Sequence, residues 1–540
     1  MGCIRISRVL CTSALIGLLF QSAVRAQEEK LGEVNFPISC SAGAQMQFNR
    51  AVAMLHSFFF PETMKAFTAI TRQEPSCAMA YWGVAISQRP NPLVAPFPAE
   101  LMKNGWEAIE AGRAAGAKTQ RENDWIEALA VFFKDYDKID LRTRTLAYEA
   151  AMARLTTNYP DDNEAAIFYA LALNEAVDLS DKTYAKQFKA ASILQAIEAK
   201  LPNHPGIPHY IIHSYDFAAI CQQGLPAARR YAELAPTAPH ALHMPSHTFS
   251  MLGMWEDSIA ANIKTIAASQ DYAAKNKLDG IYAAVPHSYD FMQYAYLQLG
   301  QDAKARALMM EAGAVNKVFR AILGSETGLA AVPARYMLER QDWRGAAGLQ
   351  IPAAVNAPPA KAIIHFARAL GAARSGDLAA AQTDIGNLQE LKAALEKTNQ
   401  PYWAGQVDVQ ILAAQAWLAH SQGDRTEAVK LMRAAADLED RSEKHVAMEN
   451  RLYPMRELLA DLLMEQNQPA AALPEYETSM KSTPERLRGF YGAARAAAAT
   501  GDKEKSAAYF GSLARLTRNA DGDRAEVREA KHFIAGERDQ

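Results

Sequence analysis

Apolar residues in this chain return every three or four positions over almost its whole length. Alternating runs rich in Val, Ile and Thr are nearly absent, and Ala, Leu, Glu and Lys dominate. A spacing of three and four places apolar side chains on one face of a helix, so the pattern predicts an all-α protein. The predicted helices come in pairs. Residues 239–266, PHALHMPSHTFSMLGMWEDSIAANIKTI, show the unit. One apolar run ends at Leu252-Gly253, a short turn follows, and Trp255 opens a second amphipathic run.

The pairs recur. SGDLAAAQ (375–382), QGDRTEAVKLMRAA (422–435), QNQPAAALPEYETS (466–479) and TGDKEKSAAYF (500–510) are one turn followed by one helix, written four times. Asn467 and Gly501 stand 34 residues apart with Pro484 between them. Prolines 75, 160, 202 and 236 punctuate the first half in the same way, and Pro286 opens a further repeat. With Pro75 at position 32 of a repeat, Ala51 falls at position 8 and Phe67 at 24. The repeat that opens at Pro286 carries Tyr289 at 4, Tyr296 at 11, Gly300 at 15, Ala305 at 20 and Ala312 at 27. This combination of turn glycines, small residues and prolines resembles the tetratricopeptide-repeat superfamily, over about residues 45–515. The resemblance implies an α-solenoid of helix-turn-helix repeats. In that family the first helix of each pair lines a concave groove that binds peptides and partner proteins. Residues 90–145, with the Pro-rich NPLVAPFP, and the longer connectors 267–285 and 350–361 interrupt the array.

The ends add a location. Arg5 and Arg8 precede an apolar run from Val9 to Phe20, and Val24-Arg25-Ala26 fits a cleavage site, so residues 1–26 read as a secretory signal. An extended segment (27–44), an N-terminal array with the histidine cluster (45–320), a C-terminal array (321–517) and a charged tail (518–540) complete the expected organisation. No later stretch is long and apolar enough for a membrane span. The protein is expected to be exported, periplasmic or secreted. With 57 basic and 60 acidic residues and no basic block, nothing points to nucleic acid. Cys40, Cys77 and Cys221 remain after signal removal. In the repeat register, Cys40 precedes the first hairpin and Cys77 follows its second helix. Antiparallel helices bring those two ends together, and a disulfide is expected.

The histidines change the picture most. Seven of the chain's twelve fall within 204–287. In the repeat register, positions 2, 5, 9 and 12 of a first helix form the groove stripe, because such steps stay on one side of a helix. His209 and His213 take two of these positions in one repeat, His240, His243 and His247 three in the next, and His287 one in a third. His209/His213 and His243/His247 are i, i+4 pairs, the spacing with which one helix face grips an ion. Imidazole suits Zn, Cu, Fe or Ni. Asp216 and Asp290, with His204, are candidates to accept hydrogen bonds from ligand N–H groups. Tyr210, Tyr289 and Tyr294 lie near the cluster by helical position. Pro245 leaves the local register open, since it suits the first position of a new helix better than the interior of an old one. There is no Gly-rich phosphate loop, GxSxG or HExxH. Two classes of function stay open: a groove that docks a protein or peptide, and a groove whose transition-metal ion binds a small molecule or performs oxidative or hydrolytic chemistry.

Overall fold

Along the described part of the chain, residues 29–538 of a computed structural model, helix follows helix with short turns between. The signal-like stretch 1–26 lies outside it. The chain is all-α, and strand among the described residues is limited to a two-residue parallel pair, β1 (Ile281–Tyr282) with β2 (Val318–Phe319). No helix of the described residues is long and apolar enough to cross a membrane.

Turn chemistry explains the pairing. Gly253, Gly300, Gly376, Gly423 and Gly501 all take left-handed φ values between 67° and 93° where one helix ends, and Asn467 does the same at 59°. That conformation closes a helix by satisfying its last carbonyls, and glycine or asparagine adopts it at least cost. The aspartates that follow three of these glycines cap the next helix. Asp377, Asp424 and Asp502 accept hydrogen bonds from the backbone N–H groups of Ala380, Glu427 and Lys505, each near 3.0 Å. The Gly-Asp pair therefore stops one helix and starts the next.

Helices pack mainly on their neighbours in sequence. α14 (Ala284–Gln298), α16 (Leu323–Glu339), α18 (Pro358–Ser375) and α20 (Pro401–Ser421) also touch one another in series, with their partner helices alongside. Nearest-neighbour contact of this kind is consistent with a helical repeat fold. Residues 90–145 hold two additional long helices, α4 (Ala99–Ala115) and α5 (Gln120–Phe133). At the N-terminal end, α1 (Ala42–His56) and α2 (Phe60–Gln73) form the first hairpin, and the Cys40–Cys77 disulfide joins its two ends with Cα atoms 5.5 Å apart.

One connection breaks the pattern. Residues 441–454, between α21 (Arg425–Asp440) and α22 (Met455–Glu465), form a long loop that runs back across the N-terminal half. The Glu443 N–H donates to the Leu179 carbonyl at 2.7 Å, and the Thr327 hydroxyl donates to the Ala447 carbonyl at 2.6 Å. The fully buried Arg335 on α16 donates to the carbonyls of Asn450 and Arg451 and pairs with Asp290 at 2.9 Å. At its base, Lys444, Arg451 and the Met455 N–H all converge on Glu439.

Candidate metal centre

Six histidines meet where this loop crosses the array. His209 and His213 lie one turn apart on α9 (Gly206–Ser214). His240 and His243 occupy α11 (Pro239–His243), His247 lies on α12 (Pro245–Met251), and His287 on α14. Pro245 opens α12, so the two short helices meet at Met244. The rings of His243 and His247 nevertheless come within 4.9 Å of each other.

The ligating nitrogens gather in two sets. Those of His209, His213 and His240 lie within 4.8 Å of one another, and so do those of His243, His247 and His287. Either set could hold a metal ion, as could two smaller groups, His56–Glu164–His204 and Asp216–His247–Glu449.

The scaffold fixes the tautomers. His209 Nδ1 sits 2.6 Å from the His56 carbonyl oxygen, an acceptor only, so Nδ1 carries the proton and Nε2 the lone pair. That carbonyl belongs to the last residue of α1, where a helix has no internal donor to offer it. His243 Nδ1 donates to Asn262 Oδ1 at 2.7 Å, and the Asn262 amide nitrogen in turn donates to the Ser258 carbonyl. His247 Nδ1 donates to Asp216 Oδ2 at 2.9 Å, with Glu449 Oε2 2.6 Å away. Each Nδ1–H thus points backward into the protein and each Nε2 forward, as a carboxylate or carbonyl behind a metal-binding imidazole requires.

The forward atoms are crowded. His243 Nε2 and His247 Nε2 stand 3.0 Å apart, and His209 Nε2 and His240 Nε2 3.1 Å apart. Two lone pairs at that distance repel unless a proton or a metal cation lies between them. The buried His213 has no partner at Nε2, and its Nδ1 lies 3.5 Å from Asp216 Oδ2, too far for a well-made hydrogen bond. Burying such a group unpaired costs about 1–3 kcal/mol.

Electrostatics keep most of the rings neutral. Burial, then the charge of neighbouring rings, holds His209, His240 and His243 well below the ordinary imidazole value of 6.5. Burial and His247 lower His287 to about 3. Burial also lowers His213, against the pull of Asp216. His247 is the exception. Burial would lower it too, but Glu449 and Asp216 outweigh burial and raise it to about 10. Without an ion, a second proton on His247 therefore turns the 3.0 Å contact into an N–H···N hydrogen bond. Metal binding must displace that proton.

Five of the six rings line a cavity enclosing about 890 Å³, counted with its opening to solvent, and His209 stands behind them. Phe58 forms one wall, its ring stacked on His240 at 5.2 Å, and Phe291 lies 4.9 Å from His243 and 5.0 Å from His247. Asn91, Arg320, Ile322 and loop residues Val446 and Ala447 also line it.

Residues expected near the ion divide between the centre and its surroundings. Asp216 lies behind His247. Asp290 instead faces Arg335. His204 shares Glu164 with His56, at 3.0 and 2.9 Å, and the Tyr210 hydroxyl meets the other nitrogen of His56. This buried group backs the centre, since His56 holds His209 through its carbonyl. A Cβ at Gly206 would lie 2.7 Å from His56 Nδ1, so the start of α9 can approach only as glycine. Tyr289 donates to Glu311, Tyr294 accepts from Arg486, and none of the three expected tyrosines lines the cavity. Tyr282 does. Sequence reasoning did not find Glu449, Asn262, the His56 carbonyl or the placement of Phe58. The run HSFFF at 56–60 is the one local signal, and by sequence it reads as packing of the first hairpin rather than as part of a ligand site.

These shifts fix a pH dependence for ion-free protein. Below pH 6.5 the unfolded chain takes up protons that the folded histidines 209, 213, 240, 243 and 287 refuse. Their contribution is thus complete above 6.5 and is lost as pH falls, for His287 down to about pH 3. Glu449, whose folded carboxyl burial and Asp216 hold above the ordinary range, works in the opposite sense, as do the raised Glu175, Asp290, Glu457 and Glu485, while the lowered His56 and His445 add to the histidines of the centre. The raised His247 contributes fully below 6.5 and loses that contribution as pH rises toward 10. The urea midpoint of chelator-treated protein is therefore expected to drop between pH 7 and pH 5. An unchanged or higher midpoint at pH 5 would contradict the burial of neutral rings.

No protein-family model matches the chain, and no curated protein does.

Proposed function

We propose that this chain is an exported tetratricopeptide-type repeat protein whose buried histidines hold a transition metal, Zn, Cu, Fe or Ni, and present it to a small molecule entering the cavity. The observation that carries this reading is the meeting of His243 Nε2 and His247 Nε2 at 3.0 Å with both Nδ1 atoms engaged behind them. The unpartnered Nε2 of His213 supports it. Three imidazoles around an ion leave an open coordination position, the arrangement used where an ion must meet a ligand. The two-class choice left by sequence is weighted by the loop. Residues 446–449 occupy the face beside the histidines, where a docked peptide would have to lie. A small ligand needs no such room. The Cys40–Cys77 bridge is compatible with export. Binding and presentation of the ion are the proposed role, with oxidative or hydrolytic turnover as its extension.

The test is metal analysis of full-length protein purified without a histidine tag, before and after reconstitution. At least one equivalent is expected. The double variant His209→Ala/His243→Ala, which takes one ring from each set, should lose it while keeping its helical circular dichroism. Wild-type protein that stays metal-free after reconstitution would sink the reading.

A further inference from the structure

The gap between the two histidine sets is close to the widest gap within them. Ring centroids in the first set are 4.9, 5.0 and 6.3 Å apart. In the second they are 4.9, 4.7 and 5.9 Å apart. Across the sets, His213 lies 6.2 Å from His247 and His240 lies 6.4 Å from His243. The array is one continuous sheet of imidazoles, with two places where three nitrogens converge.

We infer that the array takes two copper ions side by side, one in each set of three imidazoles, close enough to share a single small anion on the cavity side. This rests on the metal reading above and goes beyond it in number, ion and ligand.

Donor count comes first. Six imidazoles exceed what one tetrahedral ion accepts, and the sets are separately complete, since each brings its own nitrogens within 4.8 Å. Three donors each leave both ions an open position, and five of the six rings border the same cavity. Donor type comes next. Neither set contains a carboxylate or thiolate, and neutral nitrogen donors favour copper over the other divalent first-row ions.

Charge then calls for the anion. Neutral rings bring no negative charge to a pair of cations. The nearest carboxylates, Asp216 and Glu449, both stand behind His247, and Asp216 also lies 3.5 Å from His213 Nδ1, so two carboxylates at most face a pair of divalent ions. Arg320 on the cavity wall adds further positive potential. A buried site with this imbalance draws an anion from solvent, and one placed between two open positions neutralises both ions together. Beyond the histidines the walls are mostly apolar, with Asn91, Tyr282 and Arg320 the other polar side chains that line them.

The experiment uses full-length, disulfide-intact, untagged protein loaded with Cu(II) in the presence of equimolar Zn(II), then freed of excess metal. Metal content and the spin integrated by electron paramagnetic resonance are measured on the same samples, with azide as the probe anion. Two coppers per chain are expected, with integrated spin well below two because ions sharing a bridge couple magnetically. His287→Ala and His240→Ala each remove a ring from a different set, and each should hold one copper with its full spin. One copper per wild-type chain overturns the pair. Two coppers with full, azide-insensitive spin overturn the shared anion. Zinc in place of copper overturns the choice of ion. No metal of any kind strikes the reading under Proposed function instead. The wild-type spin count needs no variant, so poor folding of a substituted protein leaves the test intact.

Discussion

Replacing Arg335 with methionine is expected to destabilise the protein by about 3–5 kcal/mol, the usual cost of removing one partner from a buried ion pair. The guanidinium is fully buried and its partner Asp290 nearly so. Burial pushes Asp290 up while Arg335 holds it down, so the orphaned carboxyl must take a proton or draw in water. Methionine keeps most of the side-chain volume, which separates the electrostatic loss from a cavity effect. The same substitution removes the donors that hold the Asn450 and Arg451 carbonyls, so residues 441–454 should come away from the histidines. Two measurements follow this. The urea midpoint should fall sharply at neutral pH, and trypsin should cut within the loop at Arg441, Lys444 or Arg451 under conditions that leave the parent intact. A shift below about 1 kcal/mol, the range of an exposed pair, with the loop still protected, would show that the pair does not secure the loop.

The disulfide carries the second large effect. Its cysteines are 37 residues apart. A closed loop of that size restricts the unfolded chain enough to give about 3–4 kcal/mol. The hairpin it joins is the N-terminal end of the array, and arrays are weakest at their caps. Part of the closure is duplicated by the Ser41 N–H and hydroxyl, which both bond the Glu74 carboxylate. Cys40→Ala with Cys77→Ala should therefore unfold the first hairpin at lower urea than the rest. Non-reducing peptide mapping should recover the linked peptides from exported protein, and two free thiols there would refute the bridge.

What could be read in the sequence was local. A glycine followed by aspartate sets its own left-handed turn and its own cap, so Gly376, Gly423 and Gly501 announced their hairpins without help from the rest of the chain. The i, i+4 spacing of His209 and His213 announced a shared helix face in the same way. The backing of those rings was not local. Asp290 has the right spacing to approach the centre, but a guanidinium one helix away claims its carboxylate. The Tyr210 hydroxyl is spent on His56, a residue that no spacing rule connects to it. Glu449 reaches His247 only because a loop between two helices runs the wrong way across the array. Helical periodicity describes what one element presents, and it is silent about what a connection places on top.

That connection also sets an order of events. Every ring of the histidine array precedes residue 290, whereas the cover arrives with residues 446–449. Domains generally fold as units, the amino-terminal part first during synthesis. The residues that carry the six imidazoles are therefore made before those that cover them. On the metal reading proposed above, docking of residues 441–454 would act on a site already assembled, narrowing the way in and out of it without closing it, since the cavity still opens to solvent.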